Sequence, residues 1–526
     1  MKKTKTLLAL SLVLAILLAL CACGGGGSEA TKAPDSGEKP AEAPTPGEAP
    51  AGEEGNSLLR VGLDGEPAKL DYADPGGNIG SMFVCYSLYS PLWQFTTDGE
   101  FHYLLATSHE YNEDGTAIIV KIRENAKFSN GDPVTAKDVL FSFKSADEVN
   151  GMRTQSVDFA NSKVIDDTTV QIGVKQKSPT QIEDFALIPI ASESWTEGRA
   201  NEDHVFVNPL GCGPYMIEGT WATGKNMILV KNPYYWDADK LKYDKIECYF
   251  INEENTRYLQ FTTGGLDLCY LTDSTNIDNI KNDSNYVLYN SPVQLNVGLI
   301  FDTETLPTFQ NQDLRLAICH AVDVDTIVQA VCGSAYIPAS SMLPSKSWAY
   351  KNTKYKYDPE LAKQYLEKSG VKNFTWELTV NESPLNKLVA EAIQGYLADI
   401  GITMKINVVD MPTFFAGMQS GKLDSTITQY SGSSDPGSVL NSWLSWQPGN
   451  LNKTPPEINN LIDDGCMKPA SQEERIKIYH EIQDKVAEMG KILPLYEVTC
   501  NYASTPDIDC SGSVQADGYL TSAFLY

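Results

Sequence analysis

The stretch Ile122-Arg-Glu-Asn-Ala-Lys-Phe-Ser-Asn-Gly-Asp-Pro-Val-Thr-Ala-Lys-Asp-Val-Leu-Phe-Ser-Phe143 decides the fold class. It begins at the end of a β-branched run, Thr116-Ala-Ile-Ile-Val-Lys-Ile-Arg123, which follows the turn residues Asn112-Glu-Asp-Gly115 and reads as a strand. It ends in a helix. Thr135 can cap through its hydroxyl, and Asp138 lies near the positive end of the helix dipole, ahead of Val139, Leu140 and Phe141. The same succession recurs downstream. Asp358-Pro359 starts a helix with proline at its first position and Gly370 at its end. Leu388 to Ile400 is a helix closed by Gly401, and the strand run Thr403 to Val409 follows at once. Ser471-Gln-Glu-Glu474 is a capping box ahead of Ile478, Ile482 and Val486, one face of a helix that stops at Gly490. Strands and helices in alternation specify an α/β fold.

The chain has 526 residues, enough for two or three domains, and its 42% hydrophobic and 21% charged residues make an ordinary globular balance. Acidic residues number 68 against 41 basic, a formal charge of -27. Such a surface repels phosphate backbones and argues against a nucleic-acid partner.

At the N-terminus, Lys2, Lys3 and Lys5 precede an unbroken apolar run, Leu7 to Leu20. The run is shorter than the roughly 20 residues a membrane-spanning helix needs, and reads as a secretory signal. Leu20-Cys21-Ala22-Cys23-Gly24 follows, with a small residue just before Cys23. This resembles a lipoprotein cleavage site, which implies a signal peptide over 1–22, a lipid on Cys23 and anchoring at the outer face of the cell membrane. Residues 23–57 are rich in Gly, Ala, Pro and Glu with no apolar period, the composition of a flexible tether.

Catalytic signatures are absent. There is no HExxH, G-x-S-x-G or GxxxxGK[ST]. The five histidines, His102, His109, His204, His320 and His480, have no close ligand spacing, and His320 is expected to be a satisfied core residue. Apart from Cys21 and Cys23, the cysteines are odd in number and form no CxxC pair, so they are expected as mostly buried free thiols, with no metal and no cofactor.

Several segments in order are similar to the family 5 extracellular solute-binding proteins, which serve ABC importers of peptides, nickel and related solutes. Besides Ile122 to Phe143 these are Asn208-Pro-Leu-Gly-Cys-Gly-Pro-Tyr215, where Cys212 replaces the family's threonine, and Asn232-Pro-Tyr-Tyr-Trp236. Gln312-Asp-Leu-Arg-Leu-Ala317, Ala321-Val-Asp323 and Gly401-Ile402 continue the run. The resemblance implies a bilobed, periplasmic-binding-protein-like fold (type II, cluster C) with an extra inserted domain. Lobe 1 would comprise 58–90, 208–293 and 494–526, the insert 91–207, and lobe 2 294–493, with interlobe crossings near Pro292 and Leu493. It also implies a monomer that captures a ligand between the lobes and delivers it to a membrane permease.

The resemblance further implies the cleft residues. The segment Gln429-Tyr-Ser-Gly-Ser-Ser-Asp-Pro436 corresponds to a cleft loop, giving Tyr430, Ser431, Gly432, Ser433, Ser434 and Asp435. Asp435 is expected either to pair with a ligand ammonium or to start a helix. Tyr86 and Tyr89 fall in a first-lobe cleft segment, with core packing as the alternative. Asn296, Val297 and Gly298 lie where relatives pair backbone groups with an extended peptide, or else form an ordinary central strand. Trp443 and Trp446 are expected to pack rather than stack on a ligand. Two departures bear on the ligand. Gly432 stands where peptide-binding relatives carry the ammonium-binding acid. Val380 to Asn386 contains no arginine, the residue that takes the carboxylate in dipeptide-binding relatives. An oligopeptide is therefore the leading ligand. A non-peptide solute (a nickel complex or a sugar) and a peptide-sensing role are the alternatives.

Overall fold

Two long strands organise the molecule. Val287–Phe301 and Ile492–Ser504 pair antiparallel, from Val287 opposite Ser504 to Ile300 opposite Ile492. Their register shifts between Pro292 and Asn296, and again between Val297 and Gly298. A proline cannot donate to the ladder, so it belongs at such an irregularity. The computed structural model describes residues 57–67, 69–73, 78–95, 101–149, 153–175, 177–178, 181–197, 209–303, 305–431, 435–444, 455–468, 471–510 and 520.

The two strands form a ribbon at the centre of an eleven-stranded sheet. On one side lie Leu268–Leu271, Leu58–Leu63, Lys245–Phe250, Met227–Lys231 and Tyr215–Ile217; on the other lie Ser425–Ser431, Thr375–Asn381 and Thr403–Val409. Leu268–Leu271 pairs with the end of the ribbon at Asn501 to Ser504, and Ser425–Ser431 with the opposite end at Leu295 to Phe301. Each end therefore anchors a separate lobe, and the fold is a bilobed α/β architecture. Pro292 marks the first crossing. The second lies opposite the shifted stretch, at Glu497 and Thr499, rather than near Leu493. Leu493 faces Leu299 and is buried in the second lobe's core.

The first lobe is built around Leu59, Val61, Phe83, Leu229, Ile246 and Tyr502. An inserted domain has its own four-stranded sheet, ordered Ala106–Tyr111, Ala117–Ile122, Thr169–Gly173, Lys163–Asp166, and a separate core that includes Trp93, Phe143 and Phe185. Its helix Ala136–Val149 starts as expected, with one inversion: the Thr135 hydroxyl and amide both donate to Asp138, each at 2.8 Å, so the aspartate does the capping. Leu210 and Cys212 pack in this domain's core. The glycines on either side of Cys212 have a steric cause. A Cβ on Gly211 would come within 1.9 Å of the Leu88 carbonyl oxygen, and one on Gly213 within 2.6 Å of that of Ser87.

In the second lobe, Asp358 caps Pro359–Ser369 and Gly370 ends it at φ 70°. The Ser471/Glu474 capping box forms as expected. The helix it starts, Gln472–Glu488, buries Arg475, Tyr479, Ile482 and Val486, however, leaving Ile478 only partly buried. His320 is partly exposed rather than in the core, with its Nδ1 2.8 Å from the Lys356 carbonyl oxygen. Cys85, Cys212, Cys248, Cys269, Cys319, Cys332, Cys500 and Cys510 are free and buried.

Candidate functional site

Strand direction places the cleft. Ser425–Ser431 runs antiparallel to the first crossing strand, with Ser425 opposite Phe301 and Ser431 opposite Leu295, so its C-terminal end points towards the first lobe. Thr375–Asn381 is parallel to it, and Thr403–Val409 to that. All three C-terminal ends therefore meet the crossing. In the first lobe, Leu271 pairs with Asn501 and Leu268 with Ser504, and Leu58–Leu63 is parallel to Leu268–Leu271, so those C-terminal ends meet the crossing as well. Ligands of open α/β sheets bind at the carboxyl ends of strands. Here two such rims face one another.

On the second lobe's rim, helices start at Pro384, Met411 and Pro436. Asp410 caps the middle one, accepting from the Thr413 amide at 2.8 Å. Asp435 opens the third, accepting from the Gly437 amide at 2.7 Å, and its carboxylate is ion-paired to Arg475. Arg475 also donates to the Tyr479 hydroxyl at 2.7 Å and lies over the Trp348 ring, 5.2 Å from its centroid. Burial works to lower the guanidinium pKa, but Asp435 and Tyr479 outweigh it and hold the pKa above the ordinary value. Asp435, 2% exposed, thus already has a protein cation as partner. Of the two expected roles, helix start is the one the geometry displays.

The other expected residues separate. Gly432, Ser433 and Ser434 lie outside the described residues, as does Trp446, and of Tyr430 and Ser431 only the backbone is described. Tyr430 and Ser431 end the strand that meets the crossing, opposite Asn296 and Leu295. Asn296, Val297 and Gly298 form a central strand: they pair on one edge with Tyr430, Gln429 and Thr428, and on the other with Glu497, Tyr496 and Pro494. That leaves no backbone edge for an extended ligand and corrects the expected pairing. Gly298 has a packing reason, since its Cβ would lie 3.0 Å from the Trp443 ring. Asn296 retains one unused group. Its side-chain nitrogen donates to the Ser341 carbonyl at 3.0 Å, while its buried Oδ1 has no hydrogen-bond partner among the described residues. A buried acceptor without a donor costs free energy.

Tyr86 and Tyr89 sit at the C-terminal end of the helix Ile79–Leu88. Tyr89 donates to the Leu70 carbonyl at 3.1 Å and packs beside Tyr72; burial, with Cys85 and Asp71 nearby, pushes its phenol far above the ordinary value. It is a core residue. Tyr86 is 4% exposed.

One participant was missed. Glu183, on the inserted domain's short helix Gln181–Ala186, accepts a hydrogen bond from the backbone N–H of Asp435. Neighbouring Asp184 is pushed up to about 7 by burial and by Asp435, with Arg153 opposing. The local signal was an acidic pair in an apolar segment, Gln181-Ile-Glu-Asp-Phe185, but nothing local names a partner 252 residues away. Among the described residues no group of three His, Cys, Asp or Glu could hold a metal ion.

Residues 100–450 match the family described as bacterial extracellular solute-binding proteins, family 5 Middle. The chain is 25% identical over 398 residues to the oligopeptide-binding protein OppA of Bacillus subtilis (strain 168), covering 67% of this chain and 71% of that one. It is 27% identical over 463 residues to heme-binding protein A of Haemophilus influenzae, covering 80% and 82%. Its fold is similar to that of HbpA2 from Haemophilus parasuis, with a TM-score of 0.77 at 20% identity over 88% of this chain and 98% of the other.

Proposed function

The chain belongs to the bacterial extracellular solute-binding proteins of family 5, and we propose that it captures an oligopeptide between its lobes and delivers it to an ABC permease. The observation that supports this most is the pair of facing rims. Strand ends of both lobes meet at one two-stranded ribbon, so a solute held there touches both halves and favours the closed form through that double contact. Binding is the whole task in this reading, and neither relative above is named for a catalysed reaction.

The contact set we propose is the loop Tyr430, Ser431, Gly432, Ser433 and Ser434, together with Asn296. Short polar residues let an extended ligand approach the backbone, and the unpaired Asn296 oxygen suits a peptide N–H. Asp435, which follows these residues, is held by Arg475. Signal cleavage before Cys23, lipidation there and a tether over 23–57 would hold the domain near its permease; these residues, apart from Ser57, lie outside the described ones.

A second reading, a non-peptide solute, draws on Gly432 and on the absence of arginine in Val380 to Asn386, which leave a zwitterion's two ends without their usual partners. Native mass spectrometry of protein purified from rich medium separates the two. A ladder of peptide masses of varied length is expected. One fixed non-peptide mass would transfer the case to the second reading.

A further inference from the structure

We propose that Glu183 is a latch: by gripping the Asp435 amide it holds the inserted domain against the second lobe, so that closure is partly stabilised before any ligand arrives. The inference rests on the two-lobed capture proposed above and adds a residue from a third body to it.

Both sides of the contact are rigidly mounted. On the inserted domain, the Trp93 indole donates to the Ile182 carbonyl at 2.5 Å, Arg153 donates to the Leu187 carbonyl, and Phe185 is buried against Phe143 with ring centroids 4.9 Å apart. On the second lobe, Asp435 is pinned by Arg475, Tyr479 and the Gly437 amide. With little slack on either side, opening the cleft must break the bond rather than stretch it. The contact is also dry, with Glu183 8% and Asp435 2% exposed. A carboxylate at the start of the helix Pro436–Leu444 meets the positive end of that helix, which offsets part of its desolvation.

The latch carries its own opposition. Closure brings the Asp184 carboxyl near that of Asp435, with Arg153 as the nearby compensating cation. One charge-assisted bond and one like-charge approach act on closure in opposite directions. The differential affinity of the ligand then decides between the open and closed forms. Raising the competent fraction also raises apparent affinity in proportion.

The test compares wild type, Glu183→Ala, Glu183→Gln and the surface control Glu124→Ala by small-angle scattering without ligand, and by dissociation rates with a tetrapeptide library. Loss of the charge-assisted bond should increase the open-to-closed ratio about ten-fold and speed dissociation by a similar factor. The glutamine variant, which keeps an acceptor of the same shape, should fall between, and the control should match wild type. If the alanine variant scatters and dissociates like wild type while wild type still compacts with peptide, the latch is wrong and the clamp stands. If wild type never compacts with any peptide, the clamp fails and the latch with it.

Discussion

The second lobe's rim contains two aspartates that look alike in sequence. Asp410 precedes Met411-Pro412 and Asp435 precedes Pro436; each starts a helix whose positive end faces the crossing. Asp410 is exposed and, among the described residues, bonds within its own turn, where the Thr413 hydroxyl and amide hold its carboxyl below the usual range. Asp435 is buried and engages Arg475, 40 residues away, and Glu183, 252 away. The local code makes a helix start in both places. Long-range partners turn one of them into a structural junction between domains.

The sharpest way to break this contrast is to remove the long-range partner. Arg475→Ala leaves the Asp435 carboxylate buried without its cation and should destabilise the protein by about 3–5 kcal/mol in urea denaturation. The double variant Asp435→Asn, Arg475→Met should cost clearly less than the sum of the two single changes, because the partners act as a unit.

The next effect is on pH. In the closed arrangement Asp184 is raised to about 7, facing Asp435 and Arg153, beside Glu183 and with Arg475 behind Asp435. An opened cleft removes the Asp435 charge and should lower it part of the way towards the ordinary carboxylate range near 4. The closed form therefore holds a proton that the open form releases between those values, so closure should weaken as pH rises from about 4 to about 7 and level off above. Peptide affinity by calorimetry should drop about ten-fold across that window, and Asp184→Asn should flatten the profile. The smallest effect belongs to the exposed aspartate. Asp410→Ala should lower stability only slightly, by the loss of one exposed cap, and leave peptide dissociation unchanged. If Asp410→Ala proved costlier than Arg475→Ala, the contrast would collapse.

The same division explains what the sequence revealed. The caps at Asp358 and Ser471 and the stop at Gly370 were legible because each depends on residues within a turn. The bilobed fold was legible through ordered motifs, and Gly211 and Gly213 show why one of them needs its glycines: the chain passes against the end of another helix. Asn296 to Gly298 could not be resolved from sequence, since a central and an edge strand differ only in their neighbours. The buried face of Gln472–Glu488 was misread because an arginine and a tyrosine at i,i+4 look like surface residues until Asp435 is seen opposite them. Glu183 was missed for the same reason, at greater range.

The ribbon also fixes an order of assembly. Ile492–Ser504 comes last among the strands named above, yet it lies mid-sheet, between Leu268–Leu271 and Val287–Phe301. Before it emerges, the first lobe has an empty slot at its centre, with two unpaired edges that invite misassociation. The second lobe meanwhile lacks Leu493, Leu495 and Tyr496 from its core. Neither half can be completed by a growing polypeptide until Ser504 has been made. For a chain of an extracellular family, a keystone that follows in sequence the strands it joins lets both cores lock together only when Ile492–Ser504 takes its place.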